Sequence, residues 1–199
     1  MAKVLVACEE SQTVCKAFRE LGYEAYSCDI QECSGGHPEW HIQGDAVVEA
    51  YSGKYDMMIA HPPCTYLSNA GARHLYKGGV LQQERYAKGL EAKEFFTKLL
   101  SAPIERICIE NPTPSKVYNL PQGYQVVQPY QFGHDFSKRT LLWLKNLPHL
   151  SYTEVIKTSN STRVAGNWFN KGGKDRQKNR SKFPLGIAKA MASQCGVLL

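Results

Sequence analysis

The alternation of short apolar runs with longer helix-like stretches is the feature that most constrains the fold of this chain. Apolar runs occur at residues 4–7, 24–28, 55–60 and 104–109, with a shorter one near 42–45. Helix-favouring stretches follow at about 11–21 and 80–100, and we expect Ser11 to cap the first of them and Gly22 to end it. Strands that alternate with helices indicate βαβ units and a mostly parallel sheet covered on both faces.

The C-terminal half departs from this alternation. Runs at 126–128 and 140–144 have no helix between them, which predicts an antiparallel hairpin at one edge of the sheet. A closing helix is expected at about 184–195. The predicted fold class is therefore α/β, with a doubly wound, mostly parallel sheet. The 199 residues suit one well-buried core, so we expect a single domain over 1–199.

The composition indicates the cellular compartment in which the protein is expected. No stretch approaches the roughly 18 to 20 apolar residues that a membrane span needs. The start of the chain meets Glu9 and Glu10 too early for a secretory signal, and it is interpreted as the first strand. Seven scattered cysteines favour a reducing compartment, so we expect a cytoplasmic protein, in the host cell if it is phage-encoded. Nothing in the sequence predicts the oligomeric state.

The positive charge is concentrated near the C-terminus. The net charge is +6, and the chain from Asn146 onward holds nine Lys and Arg against two Asp and Glu. A basic insertion at about 151–182 accounts for most of this excess. Such a segment favours a polyanionic partner, most often nucleic acid, although an ordinary solvated surface is the alternative.

The chemistry is expected at the carboxyl ends of the strands, because ligands of such sheets bind there. This rule selects residues 8–11, 61–69 and 110–114, together with Asp29 and Asp45. The fourth strand is followed by His-Pro-Pro-Cys at 61–64, where two rigid prolines direct Cys64 into the crevice. A thiolate there is a candidate nucleophile, and a buried spacer is the alternative.

Glu110 follows the next strand of the predicted sheet, in the segment Glu-Asn-Pro. Because the two strands are expected to be neighbours, Cys64 and Glu110 could face one pocket. A carboxyl group in a partly closed crevice can donate a proton. The alternative is a carboxylate that caps the turn at Asn111.

The order Pro-Pro-Cys, then Glu-Asn, then an Arg before a late strand (Arg139) resembles the DNA cytosine-C5 methyltransferases. The chain is most similar in pattern to short, phage-associated members of that family. The resemblance implies a fold of the S-adenosylmethionine-dependent methyltransferase type and methyl transfer to C5 of cytosine in DNA. Cys64 would add to C6 of a flipped-out cytosine, Glu110 would hold or protonate N3, and Arg139 would contact O2.

The resemblance also implies a cofactor, S-adenosyl-L-methionine. Asp29 would hold its ribose and Asp45 its adenine amino group, with a turn-forming role as the alternative for both. The remaining cofactor-binding residues expected at the strand ends are Cys8, Glu9, Ser11 and Pro62. The family's glycine-rich loop is replaced by Cys-Glu-Glu-Ser-Gln at 8–12, so no glycine geometry supports binding there.

The basic insertion stands where the family has a much longer target-recognition region. Its core mixes aromatic, glycine and basic residues, which can neutralise phosphates and stack on bases with weak sequence specificity. The nucleic-acid-binding residues expected there are Trp168, Lys171, Lys174, Arg176, Lys178 and Arg180. A solvated loop is the alternative.

Other functions stay open at this stage. The same chemistry on RNA or on a free nucleotide fits the short insertion, and a non-catalytic nucleic-acid-binding relative fits the missing glycine loop. Cys28, Cys33, His37 and His41 approach the spacing of a zinc knuckle, but the cysteines are widely spaced and Cys28 belongs to the second strand. We therefore predict no metal site.

Overall fold

The computed structural model describes residues 2–157 and 183–199. The strands are β1 Lys3–Ala7, β2 Glu24–Asp29, β3 His41–Gln43, β4 Met57–Ala60, β5 Tyr76–Lys77, β6 Val80–Leu81, β7 Arg106–Pro112, β8 Tyr124–Val127 and β9 Thr140–Lys145. The helices are α1 Thr13–Glu20, α2 Ala46–Ala50, α3 Asn69–Ala72, α4 Gln83–Leu100 and α5 Leu185–Cys195.

Seven strands form one sheet in the order β3-β2-β1-β4-β7-β9-β8. The first five are parallel to one another, and β9 runs antiparallel to both β7 and β8. The chain adds strands on one side of β1 as far as β3 and then continues on its other side with β4. A switch point therefore lies between β1 and β4, and the predicted doubly wound class with an edge hairpin is confirmed.

Helices cover both faces of the sheet. Side chains of α1 and α5 pack with Val4 and Val6 on one face, while α2 and α4 pack with Leu5 and Ala7 on the other. All four residues of β4 are buried, as its continuous apolar run predicts for a strand covered on both faces. None of the helices in the described part of the chain is long and apolar enough to cross a membrane.

The predicted cap of the first helix is wrong. Gln12, in the left-handed region with φ 58°, precedes α1 and makes no side-chain capping bond, and Ser11 lies outside the helix. The carboxylate of Glu9 instead accepts the backbone N–H groups of Val14 and Cys15, at 2.7 and 3.1 Å. Glu9 does this because the chain turns sharply after β1 and brings its side chain back to the helix N-terminus.

Two predicted boundaries also differ. The helix expected from residue 80 begins at Gln83, because β5 and β6 pair through a turn in which Gly78 and Gly79 both have positive φ. The strand expected to stop before Glu110 continues to Pro112, because β9 pairs with it as far as Thr140. Glu110 therefore lies within β7 and not in a loop after it.

Candidate active site

The crevice at the switch point is bounded by the ends of β1 and β4. Cys8 directly follows β1 and has a left-handed backbone, with φ 60°. Beside it the His61 N–H donates to the Ala7 carbonyl at 3.0 Å, and the Glu9 N–H donates to the Cys28 carbonyl at 3.2 Å. Beyond these bonds the two segments diverge: the one after β1 lies beside β2, and the one after β4 enters the Pro-Pro-Cys loop.

Three residues predicted to bind the cofactor lie on the β1–β2–β3 side of this crevice. Burial raises the pKa of the Cys8 thiol, and the nearby charges of Asp29, Cys28 and Asp45 raise it further. The structure thus brings Asp29 and Asp45 near enough to Cys8 to affect its ionisation. The Cys8 thiol stays protonated at neutral pH and is unsuited to be a nucleophile.

Both aspartates also have the turn-forming role that the sequence left open. Oδ1 of Asp29 accepts the Gln31 N–H at 2.9 Å, and Oδ1 of Asp45 accepts the Val47 N–H at 2.7 Å, capping α2. One carboxylate oxygen of each residue is therefore used by the local backbone. The turns hold both carboxylates at the carboxyl ends of their strands.

The other predicted cofactor residues have different surroundings. Glu9 is only 4% exposed, and both of its oxygens bind the N-terminus of α1. The Ser11 hydroxyl lies 3.3 Å from that of Thr13. Pro62 is buried, and its carbonyl accepts a hydrogen bond from the Asn111 amide nitrogen at 3.3 Å. Of these three, Pro62 connects the candidate cofactor side to the loop that carries Cys64.

Backbone hydrogen bonds connect the segments that follow β4 and β7. The Asn69 N–H donates to the Thr113 carbonyl at 3.0 Å, and the Ser115 N–H donates to the Leu67 carbonyl at 2.7 Å. Partly buried Cys64 lies in the first of these loops, and its carbonyl accepts the Ser68 N–H at 2.9 Å. Since β4 and β7 are parallel neighbours, Cys64 follows one strand and Glu110 lies near the end of the next, within the strand and not after it.

Glu110 has a partner that the sequence analysis did not identify. Its Oε2 lies 3.3 Å from Nδ1 of His61, and these side chains are only 13% and 12% exposed. The strand register explains the contact. Ala60 pairs with Ile109, so the residues that follow them, His61 and Glu110, lie side by side. The sequence did offer a signal for this contact, since His61 is an ionisable residue directly after the fully apolar strand β4.

The His61 ring is enclosed on its other side. The ring of Phe183, just before α5, lies 4.6 Å away between centroids. Nε2 of His61 is buried without a hydrogen-bond partner among the residues that the structure describes, as is Oδ1 of Asn111. Two unpartnered polar atoms thus lie next to Glu110 and Pro62, at the edge where the sequence analysis expects substrate.

Arg139 reaches the same edge of the sheet from β9. It is exposed and immediately precedes Thr140, which pairs with Pro112 at the end of β7. The six nucleic-acid-binding residues predicted in the basic insertion, Trp168, Lys171, Lys174, Arg176, Lys178 and Arg180, lie outside the described residues.

A cleft of about 550 Å³ opens beside the Cys64 loop, where Tyr66 forms part of its wall. The Arg85 guanidinium lies over the Tyr66 ring, 5.0 Å from its centroid, and donates to the Gly71 carbonyl at 3.1 Å. His74 and Lys88 also line the cleft, and Lys88 is paired with Glu84 at 2.7 Å. The lining of the cleft therefore combines the stacked Arg85–Tyr66 pair with the Lys88–Glu84 ion pair.

The residues with zinc-like spacing make other contacts. Cys33 donates to the Gln12 side-chain oxygen, His37 stacks on Trp40, and His41 lies between Ser27 and the Gln31 carbonyl. Within residues 2–157 and 183–199, no three His, Cys, Asp or Glu side chains are arranged to hold a metal ion.

No family model matches this chain, and no curated protein matches it by sequence. Among solved structures it is similar to a protein described as a DNA modification methyltransferase of an E. coli prophage, with a TM-score of 0.44 and 12% identity over 72% of this chain and 46% of the other. A mutant of Spodoptera frugiperda DNMT2 gives a TM-score of 0.43 and 14% identity over 81% of this chain and 56% of the other. The magnesium protoporphyrin IX methyltransferase of Synechocystis, with bound SAM, gives a TM-score of 0.39 and 13% identity over 73% of this chain and 70% of the other. The chain spans about half the length of the first two.

Proposed function

We propose that this chain transfers a methyl group from S-adenosyl-L-methionine to C5 of cytosine in DNA, with Cys64 as a covalent nucleophile. The observation that carries the proposal is the pairing of two neighbouring strand ends. A thiol follows β4, and a largely buried carboxyl group lies near the end of β7, both at the edge that includes the switch point. The residues in the same order in the sequence resemble those of the cytosine-C5 methyltransferases.

The β1–β2–β3 side of the crevice suits the proposed cofactor. Carboxylates accept hydrogen bonds from hydroxyl and amino groups, and they attract positive charge. Asp29 and Asp45 would therefore suit a ribose diol and an adenine amino group, and their charge favours a sulfonium ion. When bound, this cofactor supplies an electrophilic methyl group. Cys8 and Pro62 are proposed to line the same site, while Ser11 and the capping residue Glu9 border it.

The chain's own residues have defined roles in this proposal. The Cys64 thiolate forms a bond to C6 of the cytosine, which makes C5 nucleophilic. Glu110 hydrogen-bonds to or protonates N3 and stabilises the charge that develops on the ring, and Arg139 contacts O2. After C5 carries the methyl group, water takes the C5 proton, and the electron pair left behind re-forms the C5–C6 double bond as the C6–S bond breaks. That bond's electrons leave with sulfur, so Cys64 is released as its thiolate.

The proposed substrate is a polyanion. The basic insertion carries the charge excess of the chain, and the cleft beside the Cys64 loop carries Arg85 over Tyr66. Such groups contact phosphates and stack on bases with little sequence preference. RNA or a free nucleotide is the second candidate substrate, and a non-catalytic nucleic-acid-binding role is the third candidate function.

The experiment is covalent trapping with 5-fluorocytosine. Fluorine at C5 cannot leave as a proton, so the Cys64 adduct should persist and survive denaturing electrophoresis when the cofactor is present. Parallel reactions would contain fluorinated duplex DNA, RNA and the free nucleotide. The expected result is a trapped complex with DNA that requires S-adenosyl-L-methionine.

Two substitutions and a matched control make this test specific. Cys64→Ser should abolish the complex, because a hydroxyl is far less ionised than a thiol. Cys33→Ser is the control, since Cys33 is equally partly buried but lies beyond β2. Glu110→Gln should slow trapping by about 10² to 10⁴, the usual contribution of a general acid. A complex that persists in Cys64→Ser would contradict the assignment of the nucleophile.

Binding of the cofactor separates the enzymatic functions from the third candidate. Calorimetry should detect saturable binding of S-adenosyl-L-methionine or its demethylated product. If the protein binds nucleic acid but neither ligand at millimolar concentration, the non-catalytic role is favoured. If cofactor binds but no substrate is trapped, the covalent mechanism is wrong.

A further inference from the structure

His61 has no role in the mechanism above, yet it makes the closest described contact to the Glu110 carboxyl group. Its Nδ1 is 3.3 Å from Oε2 of Glu110. In the ring tautomer that carries its proton on Nδ1, the imidazole donates this hydrogen bond and Oε2 accepts it. The contact occupies one carboxylate oxygen, Oε2, while Oε1 has no hydrogen-bond partner among the described residues.

The imidazole is held by its backbone and by a packed aromatic ring. The His61 backbone continues the β1–β4 pairing through its bond to Ala7, and Phe183 packs against the ring. A glutamate side chain has three rotatable bonds and would sample several orientations at the edge of a crevice without such a contact. A hydrogen bond from a fixed ring restricts that sampling.

Other charged groups around the ring are consistent with a functional position. Burial raises the pKa of Glu9, and the nearby His61 opposes that increase. Nε2 is buried and has no partner among the described residues. Buried polar atoms without a partner are uncommon in folded proteins, which sets this ring apart from an ordinary packed side chain.

We propose that His61 is a positioning residue for Glu110. Its Nδ1–H holds Oε2, and Oε1 is thereby directed to the N3 edge of the substrate ring. The inference deepens the proposed function and rests on it, because the role of Glu110 toward N3 belongs to that function. It goes beyond it by naming the residue that orients the carboxyl group.

The test compares two amide substitutions that imitate different nitrogens of the ring. In His61→Asn the side-chain amide reaches about the position of Nδ1, and in His61→Gln it reaches about that of Nε2. Single-turnover methyl transfer to duplex DNA should stay within about tenfold of the wild type in His61→Asn. It should fall about 10²-fold in His61→Gln, because misplacing a reacting group by about 1 Å has that effect. The KM for DNA should change little in either variant.

A structural role would not produce this pattern, since both amides leave similar volumes in the same buried site. Equal loss in the two variants, or no loss in either, would overturn the proposal. If the wild-type protein transfers no methyl group and forms no trapped adduct, the proposed function fails first, and the role of His61 in it fails with it.

A spectroscopic measurement on the wild type does not depend on turnover or on variants that fold poorly. Long-range ¹H–¹⁵N correlation distinguishes a protonated ring nitrogen from an unprotonated one. Nδ1 of His61 should be protonated at neutral pH. An unprotonated Nδ1 would exclude donation to Glu110 and would refute the proposal even if methyl transfer occurs.

Discussion

Replacement of Glu9 by alanine should lower the free energy of unfolding by about 3 kcal/mol, because Glu9 is the cap of α1. Its carboxylate accepts two buried N–H groups, those of Val14 at 2.7 Å and Cys15 at 3.1 Å. A buried donor left without a partner costs about 1–3 kcal/mol, so two such donors cost about 2–6 kcal/mol. Water entering the space left by the side chain would reduce this cost, which places the expected value in the lower half of the range.

Urea denaturation measures this loss through the midpoint of unfolding, provided that the m-value stays unchanged. Glu10→Ala is the matched control, because Glu10 is more exposed and accepts only a 3.3 Å bond from the Ser34 hydroxyl. A surface change of this kind is expected to stay within about 0.5 kcal/mol. If Glu9→Ala costs no more than Glu10→Ala, the capping role of Glu9 is refuted.

The pH dependence of the same site has a definite sign. Burial is the largest influence on Glu9 and raises its pKa above the ordinary value of 4.5, so the unfolded chain ionises at lower pH than the folded one. The protonated folded state is therefore favoured below about pH 4.5, and this contribution is lost as the pH rises above it. Relative to Glu9→Gln, which cannot ionise, the wild type should become less stable as the pH rises from 4.5. A difference that is constant with pH would contradict the reasoning.

Two further predictions concern packing and a second titrating group. Gly89→Ala should destabilise the protein by about 1–3 kcal/mol in urea denaturation, because the new Cβ would overlap the Tyr118 ring, whereas Gly44→Ala, with open space around it, should not. Burial lowers the pKa of His134, and its Nε2 accepts the Gly186 N–H at 2.9 Å, a bond that protonation would break. Wild-type stability relative to His134→Gln should therefore be highest above pH 6.5 and fall as the pH drops below that value; no change between pH 7 and 5 would refute this.

The sequence was sufficient where a signal is local and repeated. The continuous apolar run of β4 predicted a strand buried on both faces, and the runs at 126–128 and 140–144 predicted the antiparallel pair β8–β9. Both follow from elementary physics, since a strand that contacts helices on each side must be apolar on each side. The hairpin β5–β6 was missed although Gly78-Gly79 is a recognised turn signal, because the helix-favouring residues that follow Leu81 were extended back to residue 80.

The tertiary structure decided how the candidate site is assembled. The end of β7 depends on pairing with β9, which lies some thirty residues further along the chain, so no local pattern could place Glu110 within a strand. The cap of α1 comes from Glu9 because of the turn after β1, although Ser11 is the better local candidate. His61 meets Glu110 only because β4 and β7 are neighbours in one register. Residue types suited to the chemistry can be recognised in the sequence, but their contacts depend on strand order and register, which form between distant segments only when the whole chain packs.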